Sequence, residues 1–587
     1  MRLRNTILIF LATVSFVAVS QAQVEKSVEV TKEFAPKVAD ARKKSVKPNM
    51  VDTVRIYPEI DYTITPRSFS STLTTSRFRP AMVTYWEYNR QYPFYIKAGL
   101  GYPFNSVADF YATTHRADVG YLTAYVNHEG RYDNIKVKDP GLEKVYDNAS
   151  MRLINRVGVT GGKYVGRYTF DGDIYYESDV YNRYPYEKRV EQDPREINYE
   201  NAALQLGFGD SFSDLSRFNF KVYGSADFYN DKSEQLWYTA MGEPTFENKI
   251  QQISASAGIK IARNIGRRSS FSLSADYKGW YGLREAKAYT DNLFSATLLF
   301  AHKTKRMLDF KVGATYAYDR LKGGTEKPHH ILPYLYIGLN VRDNGRFVPF
   351  IELDSKLQNN SYQELQRRNP YVAMLGYESL PMADRNRSLD NTTVYNVRFG
   401  FTGHTQNCKF AYRLYANMSF VKNSLYWYNI HRAFFGVEQA RENIWSLSAS
   451  VEYKPISSLL IELAAKGQTT SSFASVASAK PSYEAMLRLR YTHRKFAIGA
   501  KAQLVGPSIW TSIVAIPENA DFDRIVAANP SVKLPMTVDV GLDVDWFVSK
   551  HCTIFVEGRN LANANIYRWA YYREYGVHFT AGVKVQF

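Results

Sequence analysis

Nine charged residues sit on alternating positions of four neighbouring segments late in the chain. They are Glu462 and Lys466; Glu484, Arg488 and Arg490; Lys501; and Asp539, Asp543 and Asp545. Side chains of a strand alternate between its two faces, so each charged row points one way and its apolar neighbours point the other. In YEAMLRLRY, residues 483–491, the two arginines interleave with Leu487 and Leu489, and a tyrosine closes each end. Further on, the three aspartates interleave with Val538, Val540, Leu542 and Val544. Rows of opposite charge at this spacing can bind a zwitterionic or peptide ligand, or they can neutralise one another. Covalent chemistry has no comparable arrangement. The 10 histidines are scattered and only His329 and His330 are adjacent. There is no G-x-S-x-G, phosphate loop or H-E-x-x-H, and Cys408 and Cys552 do not fall at zinc-ligand spacing. The reading is therefore a non-enzyme without metal or cofactor.

The elements that must position these rows repeat one design. Trp445, Leu447, Ala449, Val451 and Tyr453 oppose Ser446, Ser448, Ser450 and Glu452. Phe310, Val312, Ala314, Tyr316 and Tyr318 oppose Lys311, Gly313 and Thr315, and Phe94 to Tyr102 opposes Lys97, Gly99 and Gly101. Phe579 to Phe587 opposes Thr580, Gly582, Lys584 and Gln586. Aromatics bracket each apolar row eight residues apart. Eight steps of a strand tilted near 40° rise roughly 20 Å, close to the apolar band of an outer-membrane barrel between its aromatic girdles. A soluble sandwich uses shorter strands and buries its apolar face. The pattern predicts an all-β transmembrane antiparallel barrel of about 22 strands.

Loop lengths supply an independent test. Counting strands from Phe94, every second connection is tight: HRAD, GGKYVGR, GDSFSDLSR, RNIGRRS, KTKRM, RDNGR, GHTQN, KPISS, THRK and VSKH. The long ones, 133–150, 184–198, 233–248, 361–392, 421–443 and 505–535, all fall in the other set. Short periplasmic turns and long outer loops give that parity, and an even count puts both ends of the wall in the periplasm. Cys408 and Cys552 then lie six strands apart, nearly 30 Å along the wall at about 4.8 Å per strand, and are expected as free thiols.

Composition agrees. Of the 587 residues, 15% are aromatic, with 45 Tyr and 34 Phe, which suits strands and membrane boundaries. Residues 1–22 read as a cleaved signal peptide: Arg2 and Arg4, the apolar run ILIFLATVSFVAV, and Ser20-Gln21-Ala22 before Gln23. Removing it lowers the formal charge from +17 to +15. Part of that excess sits in tight turns, at Arg263, Arg267 and Arg268, at Lys303, Lys305 and Arg306, and at Arg494 and Lys495. Such turns suit solvent beside anionic headgroups or an acidic periplasmic partner. Export and the lack of any recognition module exclude nucleic acid as the reason. Residues 23–93 carry prolines at 36, 48, 58, 66, 80 and 93 and the basic residues Lys37, Arg42, Lys43, Lys44 and Lys47. An extended segment is expected there, periplasmic or lumenal.

A signal peptide followed by 22 such strands resembles the TonB-dependent receptor superfamily of outer-membrane transporters. The ending FVEGRNLANANIYRWAYYREYGVHFTAGVKVQF carries the motif: Asn560-Leu561 after a strand, an aromatic-rich last loop, and a final strand ending on Phe587. The terminal Phe587 is similar to the signal read by the barrel-insertion machinery, and Val28, Glu29, Val30 and Thr31 are similar to the segment that pairs with TonB. The resemblance implies uptake or ligand transport across the outer membrane. It covers residues 94–587 as architecture, and departs from the family in that residues 23–93 are too few for its globular plug. A 22-stranded lumen is normally plugged, so either the N-terminal segment and long loops fold in or a partner fills it. The departure also fits a barrel that transports nothing and serves as a subunit of an outer-membrane assembly, secretion or surface-protein complex, with a lipoprotein or periplasmic subunit as partner.

Overall fold

The computed structural model describes residues 92–587 apart from 117–118, 139–144, 183–195, 234, 239–243, 248–249, 285–289, 305–306, 321–326, 342–344, 373–388, 431–433, 514–521 and 530. The signal peptide, the Val28–Thr31 segment and nearly all of residues 23–93 lie outside the described residues.

Twenty-two strands form the wall. They are β1 (Phe94–Tyr102), β2 (Asn105–Arg116), β3 (Gly120–Lys138), β4 (Val145–Val165), β5 (Tyr168–Asn182), β6 (Glu196–Gly209) and β7 (Asn219–Asp231). Next come β8 (Ile250–Ile265), β9 (Ser269–Arg284), β10 (Asp291–Lys303), β11 (Leu308–Asp319), β12 (His329–Leu339), β13 (Val348–Gln358), β14 (Thr392–His404) and β15 (Phe410–Ile430). The last are β16 (Phe434–Ile456), β17 (Leu459–Ser472), β18 (Tyr483–Thr492), β19 (Phe496–Val505), β20 (Thr537–Phe547), β21 (Cys552–Arg559) and β22 (His578–Gln586). Each pairs antiparallel with its neighbours in sequence, and β22 returns to β1 with Val585 opposite Ile96 and Val583 opposite Ala98. The ring is closed, so no edge strand is left with open hydrogen-bonding groups.

The face assignments follow the alternation. Leu447, Leu463, Leu298, Val312, Phe399 and Ile174 are all exposed on the outer wall. Such a continuous apolar exterior would aggregate in water; hydrocarbon is the solvent that suits it. Phe587 lies outward as expected and stacks on Phe94 at 5.2 Å, where the first and last strands close the ring. Inside, the wall is polar, with buried rings that include Phe350 and Phe555. Phe555 is fully buried, with Lys97 and Lys584 over its face at 4.7 and 5.1 Å. The glycine opposite makes room, since a Cβ on Gly99 would stand 2.7 Å from the ring.

The ten tight turns fall at one end, here the turn end, and the longer connections at the other, the loop end. Two connections read as loops are largely strand. The stretch 133–150 extends β3 and β4, and 421–443 extends β15 and β16, which reach 21 and 23 residues. A register shift between Val421 and Ser424 bends that second ribbon, with Asn423 at φ 54°. Its aromatic residues favour pairing over coil, and the bulge redirects the ribbon beyond the membrane band. Cys408 and Cys552 are free thiols.

Candidate functional site

The charged rows share the inside of the wall as the strand spacing predicts, some facing each other and some facing other residues. Arg488 stands opposite Glu462 across β17 and β18 and bonds it at 3.2 Å. Lys466 faces Glu484 in the same register. Lys501, on β19, lies opposite Arg488. Asp543 pairs with Arg559 at 3.4 Å, Asp545 with Lys584, and Asp539 accepts the Asn560 backbone N–H at 3.1 Å. Arg490 is exposed and makes no ion pair among the described residues. Ion pairs within the wall hold Glu462, Arg488, Asp543 and Asp545. Arg488 and Glu462 are a wet lumenal pair, and exposed pairs hold only about 0–1 kcal/mol. Among the described residues His329 and His330 belong to no group that could hold a metal ion. The first hydrogen-bonds the Tyr316 hydroxyl at 2.7 Å and the second lies 3.8 Å from Asp319.

The concentrated structure is at the loop end. Connections from far-separated strands fold over that mouth around a buried core that includes Tyr362, Leu365, Trp427, Phe435, Trp510, Trp569 and Tyr572. A short helix, α1 (Tyr362–Arg368), lies in the β13–β14 connection and buries Tyr362, Gln363, Leu365 and Gln366. Its partners are inward-facing residues of β6, β7 and β8. The Tyr362 hydroxyl donates to Asp231 at 2.5 Å, Gln363 Nε2 to Asn201 Oδ1 at 3.2 Å, and the Tyr199 hydroxyl to the Pro370 carbonyl at 2.6 Å. β7 and β13 are six strands apart in the ring, roughly 29 Å along the wall, so the connection must cross the opening to make these bonds.

The β21–β22 connection comes in from the other side. The Tyr575 and Ser150 hydroxyls pair at 3.0 Å, and Tyr572 stacks on Tyr371 at 3.6 Å. The β15–β16 ribbon adds Trp427 and Phe435, which contact Trp569 edge-to-face at 6.3 and 5.9 Å. A hairpin in the β19–β20 connection adds Trp510, 5.8 Å from Trp569, and pairs Ser512 and Ile513 with Asn429 and Ile430. Aromatic pairs in such geometry contribute about 0.5–1.5 kcal/mol each beyond burial. Together they form a roof.

The charges built into the roof follow from its dryness. Burial pushes the Glu574 carboxyl up, but Arg568, Arg152, Arg131 and His578 outweigh it and hold it below its ordinary range; the Arg568 bond is 3.1 Å. Burial, followed by the Asp231 charge, raises the Tyr362 phenol well above its ordinary value. Burial likewise drives Lys480 down, against the opposing pull of its partner Glu442.

The lengths of these loops allow them to fold in over the lumen but do not say which residues make the contacts. The signal was present in Tyr426-Trp427-Tyr428 and Trp569-Ala570-Tyr571-Tyr572, aromatic runs with no alternation to place them on a wall. Asn560, in the C-terminal motif, organises the last loop. At φ 46° it donates from Nδ2 to the Ala564 and Tyr575 carbonyls at 2.9 and 3.0 Å and accepts from the Ala564 N–H at 2.9 Å. Asparagine tolerates that left-handed backbone and spans both strands of the turn.

No family model and no curated protein matches the chain. Solved structures do. The siderophore receptor PirA from Acinetobacter baumannii aligns over 84% of this chain and 80% of its own, at 12% identity and a TM-score of 0.64. A ferric enterobactin receptor PfeA mutant from Pseudomonas aeruginosa aligns over 84% and 80%, at 10% identity and a TM-score of 0.61. FpvA from P. aeruginosa, bound to a heterologous pyoverdine, aligns over 84% and 72%, at 11% identity and 0.59. The chain therefore has the barrel fold of these receptors.

Proposed function

We propose that this chain is an outer-membrane barrel that takes up a ligand across the membrane, in the manner of the TonB-dependent receptors it resembles. The observation that carries the reading is the roof. A closed 22-stranded wall with an apolar exterior is capped at its loop end by connections that cross the opening and share a buried core. A simple diffusion pore has no use for such a cap, whereas a gated receptor needs one. The loop end faces outward and the tight turns face the periplasm. Siderophores, the ligand class named for the structural relatives, are the first to test. Phe587 then serves as the insertion signal, and Val28, Glu29, Val30 and Thr31 as the TonB contact. The lumenal rows, Arg490 and Lys501 foremost, are the contacts a ligand meets beneath the roof.

A second reading starts from the same roof, whose buried core also suits a permanent closure. On that reading the roofed barrel is a fixed subunit of an envelope complex. Deleting residues 23–34 separates the two. Under the uptake reading the variant inserts normally, judged by heat-modifiable migration, and ligand accumulation falls to background. Undiminished accumulation removes energy coupling through this segment. In planar bilayers the purified protein should give no large stable current; a steady porin-like conductance would overturn the role given to the roof.

A further inference from the structure

We propose that the turn-end mouth is a docking surface for an acidic segment of a periplasmic protein, anchored in a pocket on the inner face of the wall; its periplasmic placement rests on the orientation given above. The pocket has a volume of about 510 Å³ and is lined by Tyr95, Asp545, Phe547, Thr553 and Lys584 from the wall and by Arg494 and Lys550 from two turns. The turns are held in place. The Phe547 N–H donates to the Lys495 carbonyl at 2.8 Å, and Gln586 Nε2 donates to the Lys550 carbonyl at 2.8 Å. Lys584 already has a partner in Asp545. Arg494 and Lys550 are exposed and make no ion pair among the described residues. Two uncompensated cations over an aromatic wall fit carboxylates on a chain that also carries an aromatic or aliphatic side chain.

The rim beyond the pocket has the same sign. Arg263, Arg267, Arg268, Lys303 and Lys495 are exposed at the same end, and none makes an ion pair among the described residues. Such a field attracts anions before contact. Lipid headgroups explain the outer rim but not the pocket. Tyr95 and Lys584 share the lumenal face, with Gln586 beside Tyr95 and Lys97 beside Lys584 in the register, and headgroups sit outside the wall. The chain's own residues 23–91 are basic by net charge, with 12 Lys and Arg against 8 Asp and Glu.

The test uses the full-length protein in detergent micelles and a fluorescein-labelled Asp/Glu-rich peptide containing one phenylalanine. A lysine-rich counterpart and phosphatidylglycerol vesicles serve as competitors. The acidic peptide should bind with salt-sensitive affinity, and reversing Arg494→Glu with Lys550→Glu should weaken it about tenfold or more, the scale expected when close charge pairs are lost. Reversing Arg267→Glu with Arg268→Glu, outside the pocket, should change affinity by less than about twofold. Heat-modifiable migration of each variant confirms a folded barrel. Equal losses in both double variants, no binding of the acidic peptide, or full displacement by the vesicles would overturn the proposal. Orientation is tested separately on the native Cys408, exposed at this end. A membrane-impermeant maleimide should not reach it in intact cells. Labelling there would refute the periplasmic placement without touching the binding result.

Discussion

The two ends of the barrel solve opposite problems. At the loop end, connections too long to be tight turns must bury their own backbone polar groups, and they do so around a shared aromatic core. Seven carboxylates are buried with it: Glu177, Asp179, Asp231, Asp291, Asp319, Asp390 and Glu442. At the turn end, connections of a few residues close adjacent strands and have nothing to pack, so Arg263, Arg267, Arg268, Arg494 and Lys550 stay in solvent. The loop end is dry, acidic inside and held by burial. The turn end is wet, basic and held by short local contacts, among them the Arg167–Asp210 pair at 3.1 Å. The difference teaches where each kind of function can reside. A gate needs a cooperative core that can open as a unit, while a docking rim needs charge left uncommitted.

The comparison can be broken most forcefully at the core. Trp569, in contact with Trp427, Phe435 and Trp510, joins three loops, so Trp569→Ala should cost the roof about 3–5 kcal/mol. Hydrogen exchange and limited proteolysis should rise in residues 361–372, 425–437 and 508–534, while heat-modifiable migration of the wall is unchanged. A variant that loosens the wall instead would show that roof and wall are one cooperative unit.

Acid should act next. The Glu574 carboxyl is held below its ordinary value of 4.5, so its contribution is complete above that value and is lost as pH falls through the lower folded value. Roof protection measured by exchange should therefore decline on acidification, and Glu574→Gln should flatten that decline. An unchanged profile in the variant would mean that other groups govern it. The smallest effect belongs to the turn end: Arg267→Gln should leave thermal stability within about 0.5 kcal/mol of the parent. A larger loss would mean that the rim is structural and not merely solvated.

The wall was legible because its solvent imposes a rule on every residue. Leu487 and Leu489 on one face, Arg488 and Arg490 on the other, leave one orientation with lipid outside and water inside, and the register sets Leu487 beside Leu463 and Arg488 beside Glu462. The alternation of short and long connections fixed the count through a separate physical constraint. The ion pairs were half legible. Strand spacing placed Arg488, Glu462, Lys466 and Glu484 on one face, and only the register made Arg488 face Glu462. The extended β15–β16 ribbon reads as loop in the sequence because its bulge at Val421–Ser424 breaks the alternation.

What the sequence determined by itself is the barrel: period-two polarity, aromatic brackets and loop parity are local properties, and lipid enforces each one strand by strand. What the tertiary structure alone decided is the roof. Tyr362 meets Asp231 and Tyr371 meets Tyr572 across the opening, between residues separated by more than a hundred positions, and no periodicity connects them. Their contacts exist because a closed ring brings remote loops over a single mouth.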